Sequence, residues 1–363
     1  MEGSKPRPLQ SLQALRALAA VAVVIFHLIN AEAVYGGELQ ILGGIAHLGY
    51  AGVDMFFAIS GFIMVLVCSG KFGDAQGAAD FLTKRAIRIY PLYWICTGAI
   101  ALVLVVKPGL LDPALEEKSL LGSFLLLPQE GGPLLVVGWT LTFELFFYVM
   151  TALALAFGRE RYLPVMLGGW AVVLALLQWV PAEGAWAQLF TSPLAFEFIA
   201  GAVAGLLWRR MSPKQAIGAL CVSVVLVSVA AWALLQRPDF GQTQAVRTLA
   251  FAVPCALAIA AAARLERCAL LPVPRWASAL GDASYSLYLT HVFVLSLCGR
   301  LWSVVAPTGS LVTNAAFLAT SFAACCVVAL VTYRVLERPL LDIGHRWLAR
   351  RQRAEPMASK SEG

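Results

Sequence analysis

An all-α, polytopic membrane protein with about ten transmembrane helices is what this sequence predicts, and three observations predict it. Of its 363 residues, 60% are hydrophobic and only 13% are charged, where soluble domains carry roughly 25%. Mean hydropathy is +0.77. Apolar runs of about 17–25 residues recur along the whole chain, separated by short polar turns.

Taken in order, the runs cover residues 12–34, 48–68, 90–106, 138–157, 163–180, 188–208, 215–235, 246–263, 279–301 and 311–336. A shorter run at 120–127 cannot span and is read as re-entrant or interfacial. The division is a transmembrane domain over 1–345 and a polar, basic tail over 346–363, expected to fray and to lie in the cytoplasm. No soluble domain of useful size is left over.

Charge sets the orientation. With ten spans, 22 of the 27 Lys and Arg residues fall on the side that holds both termini, and 5 on the other. Under the positive-inside rule the chain is N-in and C-in, and the bacterial cytoplasmic membrane is its expected location. The net charge of +6 is thereby read as topology, and no nucleic-acid partner is expected. The eight cysteines form no C-x-x-C pair and lie mostly in apolar runs, so they read as small hydrophobes; with four scattered histidines, no metal site is expected.

Ionisable residues inside spans are costly and point to function. The first span, LQALRALAAVAVVIFHL, carries Arg16 and His27. Eleven residues are close to three helical turns, so both lie on one face, about 16 Å apart along the axis. Counting residues from the span ends puts His27, Asp54, Glu144 and His291 within about one or two turns of a common depth. Two histidines and two carboxylates from four helices form a candidate catalytic group. Each also has a plainer reading. Either histidine can instead be read as a hydrogen-bonding group between helices, a reading that weighs more for His291 than for His27. Asp54 suits the start of its helix, Glu144 a structural pair. Glu197 stands outside the first rank for the same reason.

A second cluster is basic: Arg16 with Lys84, Arg85 and Arg88. Arg85 and Arg88, three apart, share a helix face, and planar guanidinium groups suit phosphates. The plainer reading is cationic anchoring beside an aromatic belt of Tyr90, Tyr93 and Trp94.

Six stretches, LRALAAVAVVIFH, GYAGVDMFFAISGFIM, FLTKRAIRIYPLYW, GWTLTFELFFY, GDASYSLYLTH and LERPL, occur in this order. Each is modest alone; together they are specific. Over about residues 9–340 the chain resembles the family-3 integral-membrane acyltransferases, which O-acylate bacterial surface polysaccharides and related acceptors. The resemblance implies an acyl-CoA donor, usually acetyl-CoA, held from the cytoplasm, and a carbohydrate hydroxyl as acceptor. It implies His27, ending an Arg-x10-His motif, as the catalytic residue, and Arg16, Arg85 and Arg88 in donor binding and architecture. The chain is expected to be of the membrane-only type, surrounded by membrane lipid, with polysaccharide assembly proteins as candidate partners.

The chemistry agrees with that resemblance. Moving an acyl group from a thioester to an alcohol needs a base or a nucleophile, and His27 suits either role. Glu144, or Asp54, would orient its ring. Oxyanion donors are sought among His291, Ser60, Tyr148 and Trp139. Ser60 lacks a G-x-S-x-G elbow around it, which disfavours it as nucleophile. The alternative class is a proton-coupled transporter or exporter using His27, Glu144 and His291 as a relay.

Overall fold

The computed structural model describes residues 9–37, 40–107, 109, 112–237, 243–305 and 310–358. Lys5, Arg7 and Lys360, counted above as topological charges, lie outside them. Among the described residues there is no strand. In chain order the helices are α1 (Gln10–Tyr35), α2 (Ala51–Cys68), α3 (Ala75–Val106), α4 (Leu120–Leu125), α5 (Trp139–Phe157), α6 (Leu163–Leu177) and α7 (Gly184–Thr191). They continue as α8 (Ala195–Leu207), α9 (Pro213–Gln236), α10 (Gln244–Arg267), α11 (Arg275–Asp282), α12 (Ser284–Val305), α13 (Leu311–Thr332) and α14 (Arg338–Ala358). A 3-10 stretch, Gly44–Tyr50, leads into α2, and a π-helical segment, Tyr333–Glu337, joins α13 to α14.

Ten of these stretches are long and apolar enough to cross a membrane, in keeping with the count from hydropathy. Their ends differ where polar residues continue a helix. α3 starts at Ala75, not near residue 90, because Asp74 caps it by accepting from the Gln76 N–H. Its first turns are amphipathic and therefore invisible to a hydropathy scan. The sixth apolar run is broken into α7 and α8 around Pro193, which has no N–H to continue the helix. The tail expected to fray from Arg346 is helical through Ala358.

The chain divides into two compact units, one of Met1–Gly70 and Glu160–Leu330, the other of Lys71–Arg159 and Val331–Gly363. In the first unit, α2 packs on α1, α8 and α10, and α10 packs also on α1 and α8. Close approach of α2 and α8 depends on two glycines. A Cβ on Gly201 would lie 1.9 Å from the Ala58 carbonyl oxygen, and one on Gly61 2.0 Å from that of Phe198. Gly201 opens a G-x-x-x-G stretch, the small-residue face that lets two membrane helices touch backbone to backbone. Around this contact Ile59, Phe62, Trp208, Phe251 and Ile259 are buried together. A second apolar cluster joins α1 to α12 and α13 through Val24, Leu28, Leu287, Val294 and Phe317.

The start of α1 has no side-chain cap of its own and no acid in its first turn. A carboxylate from α10 replaces it: Glu266 accepts from the backbone N–H groups of Gln10 at 2.8 Å and Ser11 at 2.7 Å. A negative group there satisfies two orphan donors and complements the helix dipole.

In the second unit, α3 packs on α4, α5 and α14. The short run at 120–127 forms α4, which ends at Leu126 in the left-handed conformation, φ 55°. The aromatic belt read from the sequence is a capping device here. Tyr93 Oη donates to Ser123 O (2.6 Å), Trp94 Nε1 to Phe124 O (2.9 Å) and Tyr90 Oη to Leu125 O (3.1 Å). Three consecutive carbonyls at a helix end are thus satisfied from one neighbouring helix.

Candidate functional site

In the first unit His27 on α1 faces His291 on α12, with ring centroids 4.8 Å apart at 68°. Each ring is anchored in the same way. His27 Nδ1 lies 2.9 Å from the Val23 carbonyl oxygen and His291 Nδ1 lies 3.0 Å from that of Leu287, one helical turn back in both cases. A carbonyl only accepts, so Nδ1 carries a proton in both rings, and in the neutral form of each ring the lone pair is at Nε2. His291 is fully buried, and its Nε2 has no hydrogen-bond partner among the described residues. His27 is half-buried. Two imidazoles thus stand side by side with their basic nitrogens unused by the backbone.

This tautomer bears on the oxyanion donors sought above. A neutral His291 whose Nδ1–H is spent on Leu287 presents an acceptor at Nε2, not a donor. It suits holding a proton or a hydroxyl rather than stabilising an oxyanion.

Asp54 is fully buried on α2 and clamped by Arg247 of α10. Arg247 Nε lies 2.9 Å from both carboxylate oxygens and an Nη2 donor 2.7 Å from Oδ2. The same Nη2 donates to the Tyr50 carbonyl at 3.2 Å, and the guanidinium carbon lies 5.1 Å from the Tyr50 ring centroid. Glu197 of α8, fully buried, accepts from Thr248 Oγ1 at 3.1 Å and adjoins Asp54. Asp54 stands in the first turn of α2, where its helix-start reading puts it, and also belongs to a charge cluster drawn from three helices. Arg16, on α1, is half-buried with Nη1 at 3.4 Å from Gln13 Oε1.

The second unit holds Glu144, Arg85 and Arg88. Glu144 accepts from Tyr148 Oη, one turn along α5. The Arg85 guanidinium carbon lies 5.4 Å from the Phe81 ring centroid and 5.5 Å from that of Tyr148, so the cation is flanked by two aromatic faces. Its Nε is buried with no hydrogen-bond partner among the described residues. Arg88 is engaged differently: Nη1 donates to Glu337 Oε1. Glu337 is the acid of LERPL and is 2% exposed.

Three functional-looking side chains stand outside the candidates that the sequence puts first. Arg247 reads as a topological charge, although an arginine inside the start of an apolar run is a usable signal. Glu197 has no partner visible along the chain. Glu32, on α1, is 1% exposed. It accepts from Leu42 N at 2.8 Å and Asn314 Nδ2 at 2.6 Å, tying the segment after α1 to α13. Among the described residues, no group of three or more His, Cys, Asp or Glu could hold a metal ion.

Comparisons with known proteins bear on the same chemistry. The chain is 33% identical to the "Exopolysaccharide production protein ExoZ" of Rhizobium meliloti (strain 1021), over 82% of this chain and 91% of that protein. It is 24% identical to "Nodulation protein 10" of Rhizobium leguminosarum bv. viciae, over 83% of this chain and 84% of that one. No solved structure matches it. A family model described as "Acyltransferase domain" matches residues 9–334. With ten helices among the described residues long and apolar enough to cross a membrane, the chain is a multi-pass membrane protein that belongs to this acyltransferase family.

Proposed function

We propose that this membrane acyltransferase moves an acyl group, acetyl in the simplest case, from acyl-CoA to a hydroxyl of an exopolysaccharide or its lipid-linked precursor. Its place is the bacterial inner membrane, with both termini in the cytoplasm. The likeness to a protein named for exopolysaccharide production supports the acceptor class, and the distribution of Lys and Arg supports the orientation.

The observation that carries the chemistry is the His27–His291 pair with both lone pairs at Nε2. His27 Nε2 takes the proton of the acceptor hydroxyl as its oxygen attacks the thioester carbonyl. The tetrahedral intermediate collapses with cleavage of the C–S bond, and the departing thiolate takes the proton back from His27. An ester and a free thiol result, with no net change in protons on the protein. His291 Nε2 is an acceptor beside His27 that holds the imidazolium N–H between the two proton transfers. A low-dielectric surrounding strengthens that contact.

In the second unit Arg85 has the features of an anion ligand: a cation held between aromatic faces with a buried, unpaired N–H. Arg85 binds the donor's phosphates in this reading, with Arg88 alongside it; for Arg16, in the first unit, donor binding rests on the Arg-x10-His motif alone. Glu144 and Tyr148 hold that aromatic wall and its charge in place.

The test is the ester content of surface polysaccharide, by mass spectrometry and NMR, in cells with the protein and with its His27→Ala variant at equal membrane levels. The ester is expected to vanish with His27→Ala; retained ester overturns the role of His27. Substrate flux into sealed vesicles without acyl-CoA consumption would replace transfer by transport.

A further inference from the structure

We infer that Arg247 and Tyr50 are positioning residues for the His27 ring: Asp54 fixes Arg247, Arg247 fixes Tyr50, and Tyr50 holds Phe26 and the turn of α1 that carries His27. This rests on the reading of His27 as the base.

The contacts form an unbroken series within the first unit. Asp54 occupies the Arg247 guanidinium through Nε and Nη2. Arg247 grips Tyr50 twice, by the hydrogen bond to its carbonyl and by the cation over its ring. The Tyr50 ring then meets Phe26 edge-on, with centroids 6.1 Å apart at 87°, and Phe251 likewise at 5.8 Å and 86°. Phe26 in turn stands edge-on to His27 at 5.4 Å and 89°.

The backbone follows the same route. Gly49 and Gly52 flank Tyr50, and a Cβ on either would come within 2.2 Å of the carbonyl oxygens of Ala22 and Ala19 respectively. No side chain separates the start of α2 from α1 here, so a shift of Tyr50 displaces α1 directly. The contacted turn includes Val23, whose carbonyl orients the His27 ring.

Simple cohesion does not account for the charges. α2, α8 and α10 already pack through glycines and a large apolar cluster. A buried ion pair is seldom more stabilising than apolar residues of the same shape. What the pair adds is direction: a planar fork fixed on one side by a carboxylate points its remaining donor and its face at one residue. A base must be held to within about 1 Å, since a misplacement of that size costs ~10²-fold in rate.

The test uses the full-length protein in nanodiscs with 15N-labelled histidine. The four histidines, His27, His47, His291 and His345, are assigned by single His→Ala variants. Tyr50→Leu removes the ring and Tyr50→Phe keeps it. Arg247→Gln alone strands a buried carboxylate, so the paired Asp54→Asn/Arg247→Gln variant is measured beside it. The ring resonances of His27 are expected to move in Tyr50→Leu and in the paired variant, and to stay in place in Tyr50→Phe, while those of His345 stay in place throughout; His47 shares the 3-10 stretch of Tyr50 and is not used as a control. In acyl transfer, kcat is expected to fall ~10²-fold in Tyr50→Leu with KM for acyl-CoA unchanged. His27 resonances that do not move in Tyr50→Leu, or that move only together with those of His345, overturn the inference. The NMR readout needs no acyl donor. Retained ester in the His27→Ala variant therefore defeats the proposed function without deciding this one.

Discussion

Arg88 and Glu337 form an ion pair between α3 and the π-helical segment that follows α13. Their separation in sequence is 249 residues. The pair explains why an acid stands in LERPL: the carboxylate is nearly fully buried and meets the second arginine of Arg-x-x-Arg. One of the two arginines read as phosphate ligands therefore already has a carboxylate partner, and the other is held between rings.

Removing Glu337 leaves Arg88 without that counter-charge. Glu337→Ala is expected to cost about 3 kcal/mol, the low end for a broken buried pair because Arg88 is partly exposed. The exchange Arg88→Glu with Glu337→Arg should recover part of it. Thermal unfolding in detergent, followed by a thiol-reactive dye at the free cysteines, measures both. Equal unfolding temperatures for wild type and Glu337→Ala would remove the pair from the fold's support.

Arg85 is predicted to act on the donor and not on the acceptor. Arg85→Lys keeps the charge but loses the planar group between Phe81 and Tyr148. KM for acyl-CoA should rise about tenfold, the effect of one charge-assisted hydrogen bond, with acceptor KM unchanged. Steady-state kinetics with each substrate varied in turn decide the matter, and equal rises in both would count against a phosphate role.

Glycines at packed and open positions should respond in opposite directions. Gly201→Ala drives a methyl group into the Ala58 carbonyl, and about 3 kcal/mol or more is the expected cost of the forced separation. Gly218, within α9, would have nothing within 4 Å of an added methyl group. Gly218→Ala should stabilise α9 by up to ~1 kcal/mol through helix propensity. Size-exclusion profiles after a heat step will rank the two against wild type.

The end of α4 depends on hydroxyl and indole donors. Tyr93→Phe leaves the buried Ser123 carbonyl without its 2.6 Å bond, at an expected cost of about 1–3 kcal/mol. Hydrogen exchange should quicken in peptides covering residues 118–134 and remain as in wild type over α1. Uniform quickening across the chain would mean that the bond supports the whole fold instead.

Much is legible in the sequence, for physical reasons. A span must be apolar for about 20 residues to cross the hydrocarbon core, so ten spans can be counted without a structure. An ionisable group inside such a span is costly, so His27, His291, Asp54 and Glu144 are visible as exceptions. Polar extensions of helices carry no such signature, which is why α3 and α14 run further than hydropathy suggests.

Partners are another matter, because an ionisable residue in a span announces its cost but not what offsets that cost. Asp54 could have capped a helix or served His27; the packing of α2 against α10 gave it Arg247. Tyr90, Tyr93 and Trp94 have the composition of an interfacial belt, and only the fold of α4 against α3 turns them into caps. By itself the sequence determined a ten-span membrane acyltransferase with a histidine at the end of its first helix, since hydropathy and ordered motifs are local properties of the chain. The tertiary structure alone decided that His27 faces His291, that Arg88 meets Glu337 and that Arg247 reaches Tyr50. Those pairings depend on helix rotation and on backbone contact at glycines, which no spacing along a single helix encodes.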